Sequence, residues 1–150
     1  MKRLCLALCT VVGLLGALPA SAQFQKPEDA IKYRKAGFTP VANHFGRIGS
    51  MVNNKAPFDA KVAAENAELL THLAPLPAAG FVPGTDKGET RAKPEIWAEA
   101  DKFKAGMTKM QEEISKLNTA AKTGDAAQLK VAFGEAAKTC KGCHDNYRNE

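Results

Sequence analysis

The chain has 150 residues and a formal net charge of +5, from 21 basic and 16 acidic residues. This length suits one domain with a real core. The lysines are spread along the chain and interleaved with acids, which reads as solvated helix faces and excludes a nucleic-acid footprint as the organising feature.

The N-terminus reads as an export signal. Lys2 and Arg3 precede an uncharged apolar run from Leu4 to Leu18, and Ala20-Ser21-Ala22 is a small-residue cleavage site. The run is shorter than the roughly 20 residues a transmembrane helix needs. Residues 1–22 are therefore assigned as a signal peptide and residues 23–150 as one mature domain. Cleavage removes Cys5 and Cys9, so the mature 128 of 150 residues keep only Cys140 and Cys143, with a formal charge of +3 from 19 basic and 16 acidic residues.

Helical periodicity is strong in four places. The first helix opens at Pro27, with Glu28 and Asp29 where the helix dipole favours acids. Its apolar positions are Ile31, Phe38, Val41, Phe45, Ile48 and Val52. Arg34 interrupts that seam, and Pro40 is expected to kink the helix. The second helix follows Pro57, with Asp59 as N-cap and Val62, Asn66, Leu69, Leu70 and Leu73 as its inner face, and stops at Pro75 and Pro77. A loop from about Ala78 to Lys93, rich in Gly, Pro and charge, is long enough to suggest function. The third helix opens at Pro94 and carries Ile96, Ala100, Phe103, Met107, Met110, Ile114, Leu117 and Ala121 at alternating steps of 4 and 3. Gly124 stops it, and Asp125 with Gln128 forms a capping box for the fourth helix. That helix carries Leu129, Phe133, Ala136, Cys140, Cys143 and Tyr147. Such a short turn makes the last two helices antiparallel, and the whole reads as all-α, an antiparallel four-helix bundle.

Cys140-Lys141-Gly142-Cys143-His144 is C-x-x-C-H, the attachment pattern of a c-type haem. Each thiol can add across a haem vinyl group, its sulfur bonding one carbon and its hydrogen going to the other. The histidine can place a ring nitrogen on the iron. Competing readings are a thioredoxin-like dithiol, which wants a βαβ setting, and half a zinc site, which lacks ligands beyond His44 and His72. Both cysteines fall in the seam, and His144 lies four residues from Cys140 on the same face, so a covalent haem c would sit inside the bundle. Candidates for a second iron ligand are His44, His72, Met51, Met107 and Met110, each with an ordinary structural reading.

The chain resembles the cytochromes c prime, class II c-type cytochromes of the periplasm. The resemblance covers the mature chain. It is carried by Gln23 to Ala30 with Tyr33-Arg34, by His44-Phe45-Gly46-Arg47, and by Phe81-Val82-Pro83-Gly84-Thr85. Pro94-Glu95-Ile96-Trp97 and the end from Cys140 to His144 with Asp145, Tyr147 and Arg148 complete it. It implies one high-spin, five-coordinate haem with His144 as the protein ligand, and Phe38 of the first helix blocking the opposite face. It implies that Arg34 meets a haem propionate, that Lys35 and Glu89 stand at the haem edge, and that Arg148 lies beside the proximal histidine. Ala78 departs from the resemblance, since relatives can carry Trp there. The implied activity is non-enzymatic binding of nitric oxide and carbon monoxide, with nitric oxide scavenging or buffering as the role. A homodimer through the first two helices is also implied. The alternative is an electron-transfer cytochrome with a low-spin, six-coordinate haem.

Overall fold

Pro27 has no amide hydrogen to satisfy and a φ already suited to a helix, and it starts α1 (Pro27–Val52), with Glu28 and Asp29 in the first turn. The structure is a computed structural model and describes residues 23–150. The assigned signal peptide lies outside the described residues. α1 runs as one element through Pro40, which stands inside the helix. Proline removes one backbone hydrogen bond, but each half of the helix is held from outside. Its N-terminal half packs on a 3-10 turn (Leu76–Gly80), and its C-terminal half packs on α2.

α2 (Ala60–Leu73) begins at Asp59, whose carboxylate accepts from the Val62 amide at 3.0 Å, as expected. Its inner face is corrected. Val62 and Leu69 are 38% and 45% exposed, whereas Ala63, Ala67, Leu70 and Ala74 are fully buried. Asn66 and Leu70 are buried as expected, and the small alanines beside them let α2 approach its neighbours closely. Gly80 allows a similar approach between the 3-10 turn and α1. A Cβ there would lie 2.7 Å from the Ala30 carbonyl oxygen and 2.7 Å from Arg34 Cβ.

The predicted third helix is two helices. α3 (Glu95–Ala98) ends where Glu99 leaves helical geometry at φ −117° and ψ 42°, and α4 (Ala100–Lys122) follows. Ala100, expected in the seam, is exposed. Glu99 spends its side chain on Lys102 and on the Tyr147 hydroxyl. α5 (Ala126–Tyr147) is capped by Asp125 as expected, but the predicted capping box is incomplete, because the Asp125 amide donates to Thr123 Oγ1 and not to Gln128. Asp125 accepts from the Ala127 and Gln128 amides, and the Gln128 side chain donates back to it at 3.0 Å. Those bonds, the Gln128 side chain first, hold the Asp125 carboxyl below its usual range. Gly124 supplies the left-handed residue of the turn, at φ 73°.

α1 packs on α2, α2 on α4, α4 on α5 and α5 on α1, closing a four-helix bundle. Among the described residues there is no strand, only an isolated antiparallel bridge between Ala92 and Arg148. Ile48, Leu70, Ile114, Leu117 and Leu129 are fully buried, so all four long helices contribute to one core. That core fills the end of the bundle near the α4–α5 turn. The N-terminal halves of α1 and α4 and the C-terminal half of α5 lie at the other end, under the loop that precedes α3.

Candidate functional site

At that second end the helices enclose a cavity of about 940 Å³. Pockets for small molecules and cofactors run to roughly 300–1,000 Å³, so this one is large. Its walls join the residues expected to hold a cofactor. α5 contributes Cys140, Cys143 and His144, with Arg148 just beyond its end. α1 contributes Arg34, Lys35 and Phe38, and the loop contributes Glu89.

On α5 both cysteines are half-buried free thiols, so they are available for a covalent link and have not paired with each other. Burial pushes both thiols up from their ordinary value. His144 is exposed at the cavity rim, where the helix ends. The enclosed part of its ring, and then the charge of Arg148, hold the imidazole below its ordinary value. The Arg148 guanidinium lies 3.5 Å from His144 Nε2. Among the described residues no three His, Cys, Asp or Glu side chains gather into a metal cluster, so the zinc reading finds no partners.

A strap keeps this end of α5 in place. The Lys93 amide donates to the Tyr147 carbonyl at 2.9 Å, and the Asn149 amide donates to the Arg91 carbonyl at 2.8 Å. The Arg91 Nε–H donates to the Asn149 carbonyl, and the Lys93 ammonium to the Asp145 carbonyl. The Asp145 and Tyr147 carbonyls belong to the end of α5, where bound donors satisfy groups left without intrahelical partners.

On α1, Arg34 points inward. It does not bend to the surface as a long basic side chain could; it is 3% exposed. Its guanidinium donates to Gly80 O, Thr85 Oγ1, Thr85 O and Thr90 Oγ1 at 2.6–2.9 Å. Among the described residues no carboxylate pairs with it. Lys35 donates to the backbone carbonyl of Glu89 at 3.2 Å, which leaves the Glu89 carboxylate to solvent. Phe38 is half-buried and meets Phe81 edge-on, with ring centroids 6.2 Å apart. Phe81 in turn packs on Phe103, and Phe103 on Tyr147. Phe45 lines the cavity and stacks on Phe133 at 4.3 Å.

The candidates for a second iron ligand separate by position. His44 is half-buried between helices, not free at the surface as expected, and bonds Asn66 Oδ1 through Nδ1 at 2.7 Å. His72 is exposed on α2, and Met51 is buried in the core. None of these three lines the cavity, whereas Met107 and Met110 of α4 do. Ala78 is exposed in the 3-10 turn and does not line the cavity.

The residues fit haem c. Two half-buried thiols on one helix face stand beside an imidazole, in a cavity walled mainly by apolar and aromatic side chains. A buried guanidinium without an acidic partner adds positive potential for an anionic substituent. Cys140 and Cys143 would hold the group through thioethers and His144 through its imidazole. The sequence marked Phe81 and Thr85 only as part of a resembling segment, without a role, and Thr90 and the strap were missed. Phe81 stood outside every helical period, and hydrogen bonds spanning some 50 residues leave no local signal.

The family model "Cytochrome C'" matches residues 29–148. Cytochrome c' from Rubrivivax gelatinosus is 55% identical over 129 residues, covering 85% of this chain and 100% of the relative. Its crystal structure aligns with a TM-score of 0.81 over the same shares. A nitric oxide complex of a cytochrome c prime variant from Alcaligenes xylosoxidans is 46% identical, with a TM-score of 0.80, covering 85% of this chain and 99% of that one.

Proposed function

The chain belongs to the cytochrome c' family, and from that premise we propose that it binds nitric oxide and carbon monoxide at a single haem c in the periplasm, scavenging or buffering nitric oxide. When bound, the haem would supply an iron at which a diatomic gas can bind. The chain's own residues do the rest. Cys140 and Cys143 fix the group to α5, His144 furnishes the imidazole, and the cavity wall keeps water from one face.

The observation that carries this reading is Phe38, whose hydrocarbon ring lines the cavity from α1 and cannot ligate iron. Its neighbour Phe81 is also hydrocarbon, which supports entry of small apolar gases and a binding role with no acid–base catalysis at that wall. Arg148 beside His144 places positive charge on the other side. The nitric oxide complex of the Alcaligenes relative supports the ligand class.

Met107 and Met110 on the cavity wall favour the second reading, an electron carrier with a thioether as sixth ligand. Both are also buried seam residues of α4, an ordinary place for Met. Optical and electron spin resonance spectra of the isolated protein separate the two: high-spin iron is expected, and a low-spin signature would establish the electron carrier instead.

A homodimer is part of the proposal. Val62, Leu69 and Leu76 repeat every seven residues along α2 and the 3-10 turn, and with Phe58 they are exposed apolar side chains. Such a stripe suits a second copy. Sedimentation of the mature protein is expected to give twice the protomer mass; a single-protomer mass at micromolar concentration would remove the dimer.

A further inference from the structure

We propose that Arg34 is a positioning residue that clamps the loop over the cavity and, by holding the Phe81 ring, sets how tightly Phe38 closes its wall. The rate readout below rests on the gas-binding reading; the loop readout does not.

A guanidinium has five N–H donors, four of them on its terminal nitrogens. In Arg34 those four go to the loop side: two from Nη1 to Gly80 O and Thr85 Oγ1, and two from Nη2 to Thr85 O and Thr90 Oγ1. Only Nε–H remains for an anion. A residue whose sole task was to meet an acidic group would not be committed this far to neutral partners.

The clamp is built rather than incidental. Thr85 is 0% exposed, and its hydroxyl both accepts from Arg34 and donates to the Val82 carbonyl at 2.7 Å. The same carbonyl accepts from the Trp97 indole at 3.0 Å, which ties the loop to α3. Thr90 also accepts from the Ala92 amide at 3.1 Å, at the start of the strap. Buried polar groups so fully satisfied are rigid, because releasing any one of them strands its partner.

The clamp reaches Phe38 through one ring. Arg34 Cζ sits 4.7 Å from the Phe81 centroid, a cation–π distance, and Phe81 meets Phe38 edge-on at 6.2 Å. Arg34 and Phe38 are also four residues apart on the same face of α1. Phe81 is therefore gripped between the clamp and the wall residue it backs. Loosening the clamp frees Phe81 to move, and with it Phe38.

The test compares Thr85→Val with Thr85→Ser in the haem-loaded, full mature protein. Valine keeps the volume and removes the hydroxyl; serine keeps the hydroxyl. Asp59→Ala, which loses the α2 cap at the far end of the bundle, serves as a destabilised control. With Thr85→Val, amide hydrogen exchange across residues 80–92 is expected to accelerate. Carbon monoxide entry into the ferrous protein should rise about threefold or more, and the bound carbon monoxide stretching band should broaden. Thr85→Ser should restore all three, and Asp59→Ala should change none. If Thr85→Val does not accumulate folded, Thr90→Val removes one clamp bond from a half-buried site and is read in the same way. Unchanged exchange and entry, or equal changes in Asp59→Ala, would overturn the clamp. Failure of the parent protein to bind carbon monoxide would instead sink the gas-binding reading, with the exchange result still deciding the clamp.

Discussion

A Cys140→Ser, Cys143→Ser double variant is expected to lose all denaturant-resistant haem. On a denaturing gel the haem stain should fall to background, and the intact mass should match the bare mature chain. The two thiols are half-buried on one face of α5 and open to the same cavity as His144, and among the described residues there is no other cysteine. With both sulfurs gone, only the imidazole and packing hold the group, and these do not survive unfolding. A ligand that binds only the native state stabilises it by mass action, whereas a covalently fixed one cannot be diluted away. The double variant should therefore also melt at a lower temperature, and the melt should now depend on added haem. Either single variant should keep one thioether and stain on the gel. Full staining of the double variant would show that attachment lies elsewhere.

The second large effect is at Phe38. Phe38→Ala is expected to raise the on-rate of carbon monoxide by about 10- to 100-fold, if moving the ring aside accounts for roughly 1.4–2.8 kcal/mol of the entry barrier. Phe38 is half-buried, so the stability cost should fall below the roughly 3–5 kcal/mol of a core Phe→Ala change. Stopped-flow mixing reads the rate, and a urea titration of the same sample reads the stability. The two should separate, with a large change in rate beside a modest change in midpoint. An unchanged on-rate would mean that Phe38 is packing only. Phe81 remains to narrow the wall in this variant, so entry should stay slower than in a double Phe38→Ala, Phe81→Ala variant.

What the sequence made legible follows from how far each signal travels. The Asp59 and Asp125 caps and the Gly124 turn rest on contacts within four residues, and they stand as read. The seam of α5 placed its cysteines and His144 on one wall because a single helix carries all three. The face of α2 was misread in part, since leucines draw the eye while Ala63 and Ala67 take the inward positions. The break at Glu99 was invisible because the apolar period of the sequence continues across it, and the Glu99 side chain meets Tyr147, 48 residues away. Arg34 was recognisable as out of place in an apolar seam. Its partners Thr85 and Thr90 were not, because nothing in a polar loop marks which hydroxyl will be buried.

Gas binding and electron transfer differ in whether the iron keeps an open position. The most direct test is the absorption spectrum of the purified ferrous protein before and after carbon monoxide and nitric oxide are added separately. The account predicts a high-spin spectrum alone and a distinct new spectrum with each gas, saturating at one gas per haem. A low-spin spectrum that neither gas alters would contradict it.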